Sequence, residues 1–399
     1  MRVIHVITRL IVGGAQENTV ATVLGLHAKP DVEVKLISGP AGGAEGSLGS
    51  LFSRRSELLT FVPELVRPVH PLKDWLALRR LEALFRQQKP DIVHTHSGKA
   101  GILGRLAARR AGVPFIIHTI HGPSFGSFQN SFNNSIFCAA EKYAAHSTTH
   151  FIVVADAMKT QYLAAGIGRP GQYTRIFSGF PLEPFLTAQN DLELRRQLGI
   201  APGDFVVGKI ARLFKLKGHD DLFAVAPELI RRCPTIRFLL VGDGEWRQKF
   251  EQQAEKIGLR RHFVFTGLVR PDEVPRYVGI MDALVHLSRR EGLPRALPQA
   301  LAAGKPVVAY DCDGAREVCR DDETGFLIVP GDLKDLVEKV LQLAGDSALC
   351  ETLGRNGRKL VHENFAVGKM VDDIYHLYLK LAIGGVGVQA SDCSGHEAG

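Results

Sequence analysis

Residues 287–309, LSRREGLPRALPQALAAGKPVVA, form a link between two buried parallel strands. An apolar run ends at Leu287, and the turn carries an acid, Glu291, beside Gly292 and Pro294. A helix of small residues follows, closed by Gly304, and the next apolar run starts at Pro306. Strand, short loop, close-packed helix and strand make the repeating unit of a parallel α/β sheet. A helix start offers unpaired N–H groups to an anion, and a carboxylate beside it accepts hydroxyls. The segment therefore predicts a polar, phosphorylated ligand.

The same alternation runs through the whole chain. Strands are expected at 2–8, 32–38, 58–62, 91–96, 115–120, 150–155 and 173–177, with helices such as 74–88 and 99–111 between them. The second half repeats it in FVVGKIA, RFLLVGD, FVFTG, ALVHLS, PVVAY and GFLIV. Such β-branched runs, near-continuously apolar, suit parallel sheets covered on both faces. The loop-rich segment 178–204 separates the two series. The expected architecture is α/β, with two Rossmann-like parallel-sheet domains facing a central cleft that takes the ligand. Residues 1–180 and 181–365 would be the domains, 366–383 a helix crossing back to the first, and 384–399 a disordered tail.

Composition narrows the function classes. A chain of 399 residues exceeds what one hydrophobic core usually serves. Its six cysteines are scattered without a CxxC pair, which points to free thiols in a reducing compartment. The start MRVIHVIT passes straight into a strand, and no apolar run approaches the roughly 20 residues of a membrane span, so the cytoplasm is expected. Residues 1–180 carry 20 Lys/Arg against 11 Asp/Glu (net +9), while the remainder carries 29 against 31 (net −2). A basic first half suits an anionic membrane or phosphorylated substrates; no nucleic-acid-binding module is present, so nucleic acid is not an expected partner.

Three loops carry polar chemistry. The first strand leads into TRLIVGGAQENTV, where Gly13 and Gly14 let a ligand approach the backbone, although a plain tight turn would read the same. It is not GxGxxG, which disfavours a nicotinamide dehydrogenase. The second half opens with VVGKIARLFKLKGHDDL, placing Arg212 after a strand and Lys217–Gly218 at the next helix start. Two cations there can neutralise a diphosphate leaving group. No His/Asp/Glu cluster with metal spacing is apparent, so neither a metal nor another cofactor is expected.

Taken in order, these segments resemble the retaining family-4 glycosyltransferases of GT-B fold. The resemblance covers essentially all of the chain except the tail. It runs through Gly13–Gly14, PDIVHTHSGKAGILGRLAARRAGVPFIIHTIHG (90–122), ARLFKLKGHDDL, VGDGEWR, FTGLV, the EGLP loop and DETGFLIVPGD. The stretch 90–122 is especially similar to bacterial enzymes that build capsular and extracellular polysaccharides. The resemblance implies that Arg212 and Lys217 bind the donor's diphosphate and that Glu291 touches the donor sugar, with the backbone of Gly292, Leu293 and Pro294 beside it. Gly267, Leu268 and Val269 would lie along the base. Gln299 stands where the family's second Glu accepts from the ribose; an amide keeps an acceptor but not the charge. His121 matches a histidine near the reacting centre, and His118 is the structural one of the pair. His94, His96 and Lys99 are assigned to the acceptor side, and His5 and His286 to the core or wall.

The implied reaction moves a hexose from a nucleotide diphosphate sugar, UDP more readily than GDP, with retention and without a metal. The acceptor would be a polyprenyl-diphosphate-linked saccharide at the inner face of the cytoplasmic membrane. Phe125, Phe128, Phe132 and Phe137, with basic Lys99, Arg105, Arg109 and Arg110, form the expected membrane-facing group, ordinary helix packing being the alternative. A sugar-nucleotide epimerase or phosphorylase of the same fold stays open, as does a non-catalytic sugar-nucleotide-binding protein.

Overall fold

The computed structural model describes residues 1–40, 47–126 and 128–391. Two compact units divide the chain: Met1–Phe180 together with the chain from Val367 onward, and Pro181–Ala366.

The first unit is built on β1 (Arg2–Ile7), β2 (Glu33–Ser38), β3 (Leu59–Phe61), β4 (Ile92–His96), β5 (Phe115–Ile120), β6 (His150–Val153) and β7 (Tyr173–Arg175). Each lies within two residues of its expected span. They pair in parallel in the order β3-β2-β1-β4-β5-β6-β7, so the direction of winding reverses between β1 and β4. Helices cover both faces, and for that reason β4 and most of β1 and β5 are buried on both sides. The helix Pro71–Gln88 forms because Pro71 presets its first turn, His70 accepts from the Lys73 N–H, and Lys89 ends it in the left-handed conformation.

The last helix, Val367–Ser391, belongs to this unit. Met370, Val371, Ile374 and Tyr378 join Ile7, Val20 and Val23 in one apolar cluster. Contact is close because a Cβ on Gly25 would come within 2.5 Å of the Val371 side chain. A Lys29–Asp372 ion pair at 2.7 Å ties the last helix at the surface to the segment that follows the helix Gly14–His27. The helix does not stop at residue 383, where the disordered tail was expected to begin; residues 384–391 continue it, and 392–399 lie outside the described residues.

The second unit holds β8 (Phe205–Ile210), β9 (Ile236–Val241), β10 (Phe263–Gly267), β11 (Ala283–His286), β12 (Val307–Tyr310) and β13 (Gly325–Ile328). Their order, β10-β9-β8-β11-β12-β13, is again parallel and reverses between β8 and β11. One core cluster runs from Val207, Leu222, Phe223, Phe238, Phe250 and Phe263 to Val308, Phe326 and Leu336. Stacked rings of Phe223, Phe250 and Phe263, with centroids 4.4 and 5.3 Å apart, fill its middle.

Candidate functional site

Loops leaving β8 and β11 meet where the second sheet reverses, the position at which open α/β sheets hold ligands. Lys217 bonds the Glu291 carboxylate, and their side chains are 18% and 24% exposed, so the pair is accessible from one side. Gly218 makes this approach possible. It adopts φ 67°, and a Cβ there would lie 2.0 Å from the Leu287 carbonyl oxygen, so only glycine lets the chain turn into the helix His219–Arg232 against β11. Arg212 follows β8 with its guanidinium 4.6 Å from the Phe214 ring centroid. The Glu291 loop is held by its own N–H, which donates to Asp313 Oδ2 at 2.7 Å, and by the Gly314 N–H, which donates to the Gly292 carbonyl.

Electrostatics bind these groups into one cluster. Burial pushes the Glu291 carboxyl up, but the charge and hydrogen bond of Lys217 outweigh it, and the group titrates below its ordinary range. His286 Nε2 lies 3.8 Å from Glu291 Oε1, yet burial drives this histidine down to about 3, so it is a neutral wall and not an ion-pair partner. Lys209, in the buried strand β8, is pushed down to about 7 by burial and by Lys217, against the pull of Asp221 and Glu291. Lys209 and Asp313 were not among the expected site residues. A lysine inside the apolar run FVVGKIA was a visible signal, whereas the Asp313 contact spans 22 positions of chain.

Gln299 lies half-buried in the helix Ala296–Ala302 that follows the Glu291 loop. Gly267 ends β10 and accepts from the Gly242 N–H at 3.2 Å, while Leu268 beyond it is exposed. Gly292, Leu293 and Pro294 are buried within the loop.

In the first unit, Gly13 caps the helix Gly14–His27 in extended conformation (φ 168°), which any residue can adopt. His121 is half-buried after β5. His94 and His96 do not line an acceptor surface: both are buried, because their face of β4 is covered by the last helix. They meet His5, and nitrogens of the three rings lie within 4.8 Å of one another, a spacing the sequence had not revealed. Lys99 is committed to Asp74 at 2.5 Å and to the Pro68 carbonyl. Arg105 is buried in a pair with Glu141 at 2.6 Å, and Phe125 and Phe137 pack into or against the core; of the proposed membrane group, Phe132, Arg109 and Arg110 are exposed.

A Rossmann order in both units and an acid–lysine pair at the second switch point agree with what known proteins show. The family model described as "Glycosyl transferases group 1" matches residues 190–360, and the "Glycosyl transferase 4-like domain" matches 13–177. An Escherichia coli UDP-Gal:alpha-D-GlcNAc-diphosphoundecaprenol alpha-1,3-galactosyltransferase is 31% identical over 328 residues, 81% of this chain and 84% of the relative. The chain belongs to the group 1 glycosyltransferases. The capsular polysaccharide biosynthesis glycosyltransferase CapM of Staphylococcus aureus is 25% identical over 82% of this chain and 86% of its own. The crystal structure of Anabaena HepE in complex with UDP-glucose superposes with a TM-score of 0.79 over 95% of this glycosyltransferase and 100% of that chain, at 24% identity. The fold is GT-B. No described helix of this glycosyltransferase is long and apolar enough to cross a membrane.

Proposed function

We propose that the protein transfers a hexosyl unit from a nucleoside diphosphate sugar, UDP in preference to GDP, to a lipid-linked saccharide, with retention and without a metal ion. The observation that carries this reading is the Lys217–Glu291 pair at the switch point of the second sheet, with Arg212 on the same loop after β8. Departure of the diphosphate breaks the bond from sugar C1 to the β-phosphate oxygen, and the electron pair leaves with the phosphate. Arg212 and Lys217 stabilise that charge in a site of low dielectric, the role a divalent cation plays elsewhere. Glu291 accepts hydroxyls of the sugar and orients C1, and the acceptor hydroxyl attacks from the same face, its proton passing to the departing phosphate oxygen. The undecaprenol-linked substrate in the E. coli relative's name and the UDP-sugar bound by HepE support the acceptor and donor classes.

A thermal-shift screen against nucleoside diphosphates and their sugars tests the donor. One nucleotide raises Tm, since a ligand that binds only the folded state stabilises it, and transfer assays then release the same diphosphate. Equal response to every nucleotide, or to none, defeats the reading. In the same assay Gln299→Glu tightens the nucleotide about fivefold, by adding one charged acceptor for the ribose. An unchanged affinity removes Gln299 from the ribose site.

Peripheral membrane association is proposed on a surface that shares only Phe132 with the aromatic group the sequence suggested. Val69, Leu72 and Trp75 are 73%, 61% and 56% exposed at the start of the helix Pro71–Gln88, with basic Lys73, Arg79 and Arg80 alongside. Phe132, Ile136 and Tyr143 are exposed on the helix Ser131–Ala145. Amphipathic surfaces of this kind enter the headgroup region, with about 1 kcal/mol added per basic residue on an anionic leaflet. Sedimentation with vesicles of anionic phospholipid is expected at low salt and lost on Trp75→Glu. Indifference to the lipid charge and to that substitution refutes the surface.

A further inference from the structure

Behind His121 lies an unbroken line of hydrogen-bonding groups that the transfer chemistry above does not use. His121 Nε2 is 3.0 Å from His96 Nδ1. His96 Nε2 is 2.9 Å from His5 Nδ1, and His5 Nε2 is 3.3 Å from the Tyr378 hydroxyl. The same hydroxyl is 2.5 Å from His94 Nδ1, and His94 Nε2 is 2.6 Å from Thr119 Oγ1. Three adjacent strands, β1, β4 and β5, and the last helix each contribute. Every member except His121 is buried.

Both ring nitrogens of His5, His94 and His96 have partners along this line, and the His94–His96 and His5–His96 rings stack at 4.4 and 5.1 Å. Stacked rings bonded to one another do not aim three lone pairs at a common point, so the cluster is a hydrogen-bond network and not a metal seat. Burial lowers the affinity of all four rings for a second proton, which keeps them neutral. A neutral imidazole donates through one nitrogen and accepts through the other. The line therefore has only two polarities, and all rings must share one.

Tyr378 selects between them. Its single proton goes to the nearer partner, His94 Nδ1 at 2.5 Å, and its oxygen accepts the longer bond from His5 Nε2–H. With Nδ1 accepting from Tyr378, the neutral His94 ring carries its proton at Nε2, so Thr119 Oγ1 accepts from His94 Nε2–H. Following the line outward, His96 donates to His5 and His121 donates to His96. Every histidine is then the Nε2–H tautomer.

We propose that Thr119, His94, Tyr378, His5 and His96 form one directional relay that holds His121 as the Nε2–H tautomer, leaving its Nδ1 lone pair to accept a hydrogen bond from a substrate hydroxyl. Nδ1 of His121 bonds no other group among the described residues. The part played by the hydroxyl rests on the transferase reading; the relay itself does not. Four buried groups and a tyrosine 257 residues away in sequence from His121 thus act as positioning residues for one nitrogen.

Long-range ¹H–¹⁵N spectra of the full chain, with labelled histidine, read the tautomers directly. The native protein should show Nε2–H at His5, His94, His96 and His121. Thr119→Val removes the acceptor of His94 Nε2–H. A buried donor without a partner is costlier than a bare acceptor, so the whole line should reverse and His121 should become Nδ1–H. Tyr378→Phe strands His5 Nε2–H and should reverse the outer three rings in the same way, while Thr119→Ser restores the native pattern. With the reversal, kcat should fall on the order of 10²-fold, the scale of a correctly protonated acid–base group, with KM for the donor unchanged. Native His121 as Nδ1–H, no reversal in either variant, a reversal that leaves kcat untouched, or metal-shifted histidine signals on adding Zn²⁺ would each overturn the proposal. Failure of the native protein to transfer any sugar defeats the transferase reading, and the spectra still decide the relay.

Discussion

Glu291→Ala reduces sugar transfer about 10³-fold in kcat while nucleotide binding is retained or strengthened. The carboxylate touches both Lys217 and the wall of His286, and it carries the charge that offsets Lys209 and Lys217. Removing it leaves two lysines without their near counter-charge. That raises the local positive potential and favours a diphosphate in the ground state. The sugar, in contrast, loses the acceptor that orients C1, an interaction of the size that costs 10²–10³-fold when one preorganised contact is deleted. Glu291→Gln keeps the acceptor oxygen without the charge, and falls between. Steady-state release of nucleoside diphosphate gives kcat, and calorimetric titration of the nucleotide gives affinity. Transfer at the native rate in Glu291→Ala would mean that the chain binds a sugar nucleotide without performing the chemistry assigned to this loop.

Arg105→Ala destabilises the first unit by about 3–5 kcal/mol, the usual cost of breaking one side of a buried ion pair. Both side chains of the Arg105–Glu141 pair are 0% exposed. The guanidinium also donates to the Gly101 carbonyl at 2.7 Å and to Thr148 Oγ1 at 3.4 Å, and Glu141 Oε1 has no further partner among the described residues. Alanine therefore leaves a carboxylate in an apolar layer with nothing to compensate it. For a unit of this size the loss corresponds to roughly 10 °C in Tm. The double variant Arg105→Met with Glu141→Leu recovers most of it, because two apolar side chains need no compensation. Chemical denaturation of the three proteins measures the difference, and a cost under about 1 kcal/mol for Arg105→Ala would show the pair to be hydrated.

Much of the site's logic was present in local sequence. The EGLP loop and the ARLFKLKG loop each follow an apolar strand, and a parallel α/β sheet brings the C-terminal ends of its strands to one edge; the Lys217–Glu291 contact across 74 positions follows from that rule. The histidines show where the rule stops. His94 and His96 were recognisable as neighbours on one face of a strand, since side chains alternate with period two. Whether that face meets a ligand or a covering helix was not written there. The answer lies in Tyr378, which belongs to the last helix and reaches β4 only after folding.

Arg105 makes the same point about charge. A basic residue in KAGILGRLAARRA looks solvated by composition, and only the packing of the helix Ser131–Ala145 beside it shows the buried Glu141 partner. Strand positions, the two-unit division and the acid–lysine loop thus follow from the sequence by itself, because hydrophobic periodicity and turn chemistry are local properties. Which polar groups are buried, and which pairs and relays they form, was decided by the tertiary structure. Desolvation depends on what covers a side chain, and in this chain the covering segments lie tens to hundreds of residues away.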